Sequence, residues 1–399
     1  MKTAIRNILI ASTTCLLAAC GGDGPSTITG GGDGGGENVL PTSPSGRTGN
    51  FFDDIEGVIR RISRNLDPGR IPALTHPVFV DANSPEAAYV RETDPVLGLF
   101  INGEARAYPH NIGWLHEITN DVIGGQNVIV SFCPLTGTGM VHDGTDTDGS
   151  RITCGVSGFL FNNNLVMYDR RDGTDSGSFT KYPQMLGFAV EGNRAGAELK
   201  LLPVVETTWR YWKALHPDTK VIGSNQPRST GNVGNYGPAN YQRYPYSNYR
   251  EPSTLPFFFT WPSREDNPLR SEFENKDLVL GVQFINDTKA YPFPAMDDEA
   301  VINDTVGGNN LVVVFHAEEQ FAVPYSRDLN GQTLTFSRVE STNPTVFPFT
   351  IRDAETSTTW DLLGRGVSGA NAGQQLDQVP AHNAFWFAWA TFWQNTGVL

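Results

Sequence analysis

Residues 277–316 repeat the pattern of residues 94–133 without a gap, at a constant offset of 183 (277 minus 94). Asp94, Val96, Leu97 and Gly98 correspond to Asp277, Val279, Leu280 and Gly281, and Ala107-Tyr108-Pro109 to Ala290-Tyr291-Pro292. Asn120-Asp121 corresponds to Asn303-Asp304, Gly124-Gly125 to Gly307-Gly308, and Asn127, Val130 and Phe132 to Asn310, Val313 and Phe315. A register held this long is the mark of an internal duplication. The kept residues are framework: glycine for turns, proline for a fixed φ, and apolar strand positions. This predicts a β-rich α+β fold: two internally duplicated, strand-dominated halves with short helices, packed as one unit.

The N-terminus reads as an address. Lys2 and Arg6 precede an apolar run, Ile8 to Ala19, that is too short to span a membrane and ends in Leu17-Ala18-Ala19-Cys20. That ending resembles the bacterial lipobox, in which the cysteine is acylated and becomes the new N-terminus. Gly21 after it resembles cargo sent on to the outer membrane. Residues 21–50 are Gly/Ser-rich with Thr and Pro and bury too little to order themselves, so they form a tether reaching roughly 30 Å. The expected organisation is a signal sequence over 1–20, a tether over 21–50, a first half with a long connection over 51–262, and a second half over 263–399. The net charge of −14 argues against nucleic acid as a partner. The expected partners are the outer membrane, through the N-terminal lipid, and a small molecule or envelope component.

In the first half, apolar spacing predicts a helix over 51–65. Asn102-Gly103 signals a hairpin between Val96–Ile101 and Ala105–Tyr108. Pro109 opens a helix whose inner face carries Ile112, Leu115, His116 and Thr119. Asn120-Asp121 and Gly124-Gly125 read as turns, and Asn127–Cys133 as a strand. Strands follow over 152–161 and 165–168, and a short helix over 209–215. The stretch 228–262 is a long connection holding Tyr236, Tyr241, Tyr244, Tyr246 and Tyr249. Those rings suit a sugar or peptide ligand, but burial as a pinned crossover is the better reading. His142 is expected at the surface.

The residues that differ between the copies are the site-like ones. His116 becomes Glu299, Glu117 becomes Ala300, and Cys133 becomes His316. Several motifs also stand in a familiar order: IPAL (71–74), AYP, HEITND (116–121), FCPLTGT (132–138), GVSGFL (155–160), VMYDR (166–170) and FWFAW (385–389). Together they resemble the bacterial domain-of-unknown-function family numbered 3179. The resemblance implies a secreted or lipid-anchored bacterial protein and supplies no activity. Many members carry Cys-Pro-Leu-Cys where this chain has Cys133-Pro134-Leu135-Thr136, so a dithiol cycle at this spot is not expected here.

Two readings of the chemistry stand. In the first, His116 and Cys133 form a mononuclear metal or single-thiolate redox site. Asp121 is then a further ligand, and Glu117 acts with Cys133 in catalysis. An imidazole with a soft thiolate suits copper, zinc or iron. In the second, Cys133 and Cys154 pair in a structural disulfide, and the chain is a non-catalytic binding lipoprotein. No phosphate-loop or Gly-x-Ser-x-Gly pattern is present.

Overall fold

The chain is described here from a computed structural model covering residues 59–61, 67–173, 178–227, 236–255, 273–285 and 287–399. The signal sequence expected over 1–20, the tether expected over 21–50 and Cys20 lie outside the described residues. In chain order the first half runs β1 (Phe79–Asp81), β2 (Pro95–Ile101), β3 (Glu104–Pro109), α1 (His110–His116), β4 (Ile118–Ile123), β5 (Gln126–Cys133), β6 (Thr138–Asp143), β7 (Cys154–Phe161), β8 (Asn164–Asp169), β9 (Lys181–Pro183), β10 (Val205–Thr208), α2 (Trp209–Leu215) and β11 (Lys220–Ile222). The second runs β12 (Leu278–Phe284), β13 (Asp287–Pro292), β14 (Glu299–Val306), β15 (Asn309–His316), β16 (Phe321–Ser326), β17 (Phe336–Glu340), β18 (Phe349–Asp353), β19 (Thr359–Trp360), β20 (Gly366–Ser368), β21 (Ala381–Phe385), α3 (Trp386–Phe392) and β22 (Gly397–Val398). Strand makes up 44% and helix 12%, so the fold is β-rich α+β.

The same pairing scheme occurs in both halves. The hairpin β2–β3 takes β10 antiparallel on one edge and β11 parallel on the other. The hairpin β12–β13 takes β21 antiparallel and β22 parallel in the same way. Each is followed by a three-stranded meander, β4–β5–β6 or β14–β15–β16. Asn102 and Gly103 adopt φ 49° and 83°, and Gly124 and Gly125 adopt φ 54° and 84°, which is why these turn residues close tight hairpins.

Each hairpin is pinned by a tryptophan lying on a glycine. A Cβ on Gly98 would sit 2.3 Å from the Trp212 ring, and one on Gly281 would sit 1.9 Å from the Trp389 ring. Trp212 Nε1 donates to Thr219 Oγ1 at 2.8 Å, and Trp389 Nε1 to Thr396 Oγ1 at 3.0 Å. The halves also grip each other reciprocally. Phe385 N–H donates to the Thr136 carbonyl at 2.8 Å, and Thr207 Oγ1 donates to the Glu319 carbonyl at 2.7 Å.

Three local expectations are corrected. Asn120 and Asp121 lie inside β4 and not in a turn, because the Asn120 side chain bridges strands, donating to the Leu74 and Cys154 carbonyls and accepting from Cys154 N–H. Of the helix expected over 51–65, the described part, Ile59–Arg61, is a strand paired with Phe159–Phe161. His142 is fully buried, because β6 lies against β21 of the other half.

Candidate functional site

Helix α1 sits close over β5 because Gly113 has no side chain. A Cβ there would lie 2.6 Å from the Phe132 Cβ. The helix stops at Glu117, whose backbone takes φ 55° and ψ −35°. Its N–H donates to the Gly113 carbonyl at 3.0 Å, and its carbonyl accepts from Phe132 N–H at 2.7 Å. A glutamate in a conformation that favours glycine is strained, and such strain gathers at functional positions.

The Glu117 side chain is half-buried and makes no hydrogen bond or ion pair among the described residues. Burial pushes its carboxyl up to about 8, so at neutral pH it is mostly a carboxylic acid. Cys133, at the end of β5, is buried. Its sulfur accepts from Leu165 N–H at 3.3 Å and donates towards the Asn163 carbonyl at 3.7 Å. Burial first, and the nearby Glu117 charge second, push the thiol up to about 11 against opposing hydrogen bonds from Thr136 and Leu165. At neutral pH Cys133 is therefore a thiol, not a resting thiolate. Passing its proton to Glu117 is therefore uphill, and it requires Glu117 to be ionised first.

The described part of the long connection, 236–255, packs near this pair, with Tyr246 and Tyr249 against the apolar cluster that holds Cys133. Burial raises the phenols of Tyr236, Tyr244 and Tyr246; the Glu117 charge adds to this at Tyr236 and Tyr246, and Cys133 at Tyr244 and Tyr246. Tyr244 and Tyr246 meet at 5.6 Å between ring centres. Three of the tyrosines expected mainly as pins, Tyr236, Tyr244 and Tyr246, therefore also lie close enough to feel the charge of Glu117 or Cys133. Their density in one connection was the signal.

His116 does not join the site. Nδ1 lies 2.7 Å from the Pro72 carbonyl and Nε2 lies 2.9 Å from the Tyr241 hydroxyl. Burial pushes the ring down to about 4, so it is neutral, with Nδ1–H donating to Pro72 and Nε2 accepting from Tyr241. Both nitrogens are occupied, Nδ1 holding the Pro72 segment and Nε2 the connection. Asp121 accepts from the Arg106 guanidinium and from Tyr108 OH at 2.7 Å. It pairs with Val128, five residues along β5 from Cys133, roughly 17 Å of strand. The copper, zinc or iron centre expected from His116, Cys133 and Asp121 is thus not assembled. Among the described residues no three His, Cys, Asp or Glu side chains could hold a metal ion.

The disulfide is corrected too. Cys133 and Cys154 are both free and buried. Cys154 is tied to Asn120, which pairs with Ile129, four residues from Cys133. That is roughly 13 Å of strand, beyond disulfide reach.

A second buried polar group was not foreseen from the sequence. His110 Nε2 lies 3.5 Å from Glu206 Oε1, where the two halves meet. Burial pushes Glu206 up to about 8, against a hydrogen bond from Asn383, and pushes His110 down to about 3. His110 stands among the ligand-type residues of 107–133 and could join that cluster by sequence, but Glu206 lies far away in the chain and nothing in the local pattern pairs the two.

The family model described as "Protein of unknown function (DUF3179)" matches residues 68–396. The chain belongs to this family. Searches of curated proteins and of solved structures found no match. The matched span takes in both halves, the Glu117–Cys133 pair and the tyrosine-bearing connection.

Proposed function

We propose that this is a lipid-anchored envelope protein whose working site is the Glu117–Cys133 pair under the tyrosine connection. Glu117 acts as a proton donor and acceptor, and Cys133 is the adjacent thiol. The lipobox-like Leu17-Ala18-Ala19-Cys20 supports acylation at Cys20 and an outer-membrane location. The ligand is a small molecule or an envelope component. The observation that carries the reading is Glu117 itself: a strained, half-buried, unpartnered carboxyl beside a thiol. Carbon-13 NMR of the Glu117 carboxyl should show a midpoint near 8. Alkylation of Cys133 in a Cys154→Ser background, at pH above that midpoint, should speed up several-fold in Glu117→Gln as the neighbouring charge is lost. A carboxyl midpoint near the ordinary 4.5, with alkylation indifferent to Glu117, would sink the reading.

The same proposal covers the architecture: the two halves descend from one duplicated unit. The repeated pairing scheme, the paired Trp–Gly contacts and the paired bonds Tyr108–Asp121 and Tyr291–Asp304, both 2.7 Å, support it.

A further inference from the structure

The tyrosine connection carries Arg250, whose guanidinium lies 3.9 Å from the Tyr244 ring centre and 5.2 Å from that of Trp114. Those two rings meet edge to face at 5.2 Å, one from α1 and one from the connection. The cation is therefore held in place before any ligand arrives. In a chain with a net charge of −14, acids are plentiful. Some solvent-reaching arginines use them, Arg210 with Glu318 and Glu319, Arg338 with Glu299 and Glu340, and Arg365 with Asp361. Arg70, Arg91, Arg243 and Arg352 are exposed and show no ion pair among the described residues, so what sets Arg250 apart is the clamp of two rings. Arg250 has no acidic partner among the described residues.

On those same two rings the Trp114 Nε1–H and the Tyr244 hydroxyl are buried with no hydrogen-bond partner among the described residues. Buried donors left unpaired are rare in folded proteins. Here two of them belong to the rings that hold a cation with no acidic partner among the described residues, and all three groups can donate. A ligand group that only accepts, and is negative, matches that set. Tyr244 also lies near enough to Cys133 to be affected by its charge, so this place adjoins the pair.

We propose that Arg250, Trp114 and Tyr244 form a subsite for an oxyanion, a carboxylate or phosphate, on the ligand whose reactive end meets Glu117 and Cys133. This rests on the reading of that pair as the working site. The planar fork of Arg250 binds two oxygens, and the indole and phenol donors complete the shell.

The test is calorimetric titration of the full chain with inorganic phosphate and, separately, with acetate. The Trp114 indole N–H resonance is followed in parallel and assigned from its loss in Trp114→Phe. Saturable binding is expected, with a shift of that resonance. Affinity should fall at least tenfold in Arg250→Gln and by less in Arg250→Lys, which keeps the charge but not the fork. Lys213→Gln serves as the control, because Lys213 lies 5.1 Å from the Trp209 ring centre but is already paired with Glu92. A phosphate preference assigns phosphate, and an acetate preference assigns a carboxylate. No saturable binding of either anion, or equal affinity in wild type and Arg250→Gln, overturns the subsite. The alkylation response of Cys133 to Glu117→Gln reads the pair independently, so the two ideas fail separately.

Discussion

Residues 110–117 and 293–300 occupy equivalent places in the two halves and fold differently. In the first half the segment is α1 and ends on strained Glu117. In the second, Phe293–Ala295 makes one tight turn and Met296 returns to extended backbone, and β14 begins at Glu299, next to the position matching Glu117. The reasons are local. Gly113 lets α1 approach Phe132, whereas Met296 stands in its place. Pro294 and Asp297-Asp298 replace Asn111 and Trp114-Leu115, removing a helical N–H donor and two apolar anchors. The consequence is electrostatic. Glu299 pairs with Arg338, while Ala300 stands where Glu117 would be. The same framework thus carries a compensated surface pair in one half and an uncompensated half-buried acid in the other.

The largest test of this comparison concerns what the halves share. Trp212→Ala and Trp389→Ala should each cost about 3–5 kcal/mol in denaturant unfolding, because each empties the same place over a glycine. A large cost in one half alone would break the equivalence. Gly113→Ala should cost about 1–3 kcal/mol by pushing α1 off Phe132, while Met296→Ala costs less. The same two variants, scored by Cys133 alkylation, should separate the halves again, with only Gly113→Ala changing the rate.

The acids come next. A carboxyl whose folded pKa is raised binds protons more tightly in the native state. Its stabilisation is complete below the unfolded value of 4.5 and is lost as pH rises towards about 8. Stability should therefore fall between those limits. Glu206→Gln, at a fully enclosed position, should flatten the fall by on the order of 2 kcal/mol, and Glu117→Gln should flatten it further. Urea unfolding at intervals across that range reads both; a flat wild-type profile would contradict the raised values. Tyr241→Phe removes the hydroxyl bonded to His116 and should cost about 1 kcal/mol, with faster proteolysis within 236–255. Glu299→Gln should cost the least, roughly 0.5 kcal/mol, because its ion pair with Arg338 reaches solvent.

Much of the frame was legible in the sequence. Asn-Gly and Gly-Gly turns, the Pro109 helix start, the β5 strand and the aromatic helix α3 follow from short-range rules. The run 107–133 holds both Glu117 and Cys133, and in the structure the Glu117 charge acts on the thiol. The assignment of His116 as a ligand followed from its inward face. That face was right and the role was not, because inward direction does not say which acceptor waits there. Pro72 and Tyr241 come from distant segments. Asp121 was misplaced because Asn-Asp looks like a turn when the cross-strand bonds of Asn120 are invisible.

By itself the sequence determined the hairpin framework, the family, and which positions differ between the two matching stretches 94–133 and 277–316, since each depends on residue identity and near neighbours. Only the tertiary structure decided that His116 is spent on anchoring, that Cys133 and Cys154 stay apart, and that Glu117 is an acid rather than a carboxylate at neutral pH. Those outcomes depend on which chain segments exclude water around each group. That is set by packing between residues a hundred or more positions apart, such as His116 and Tyr241.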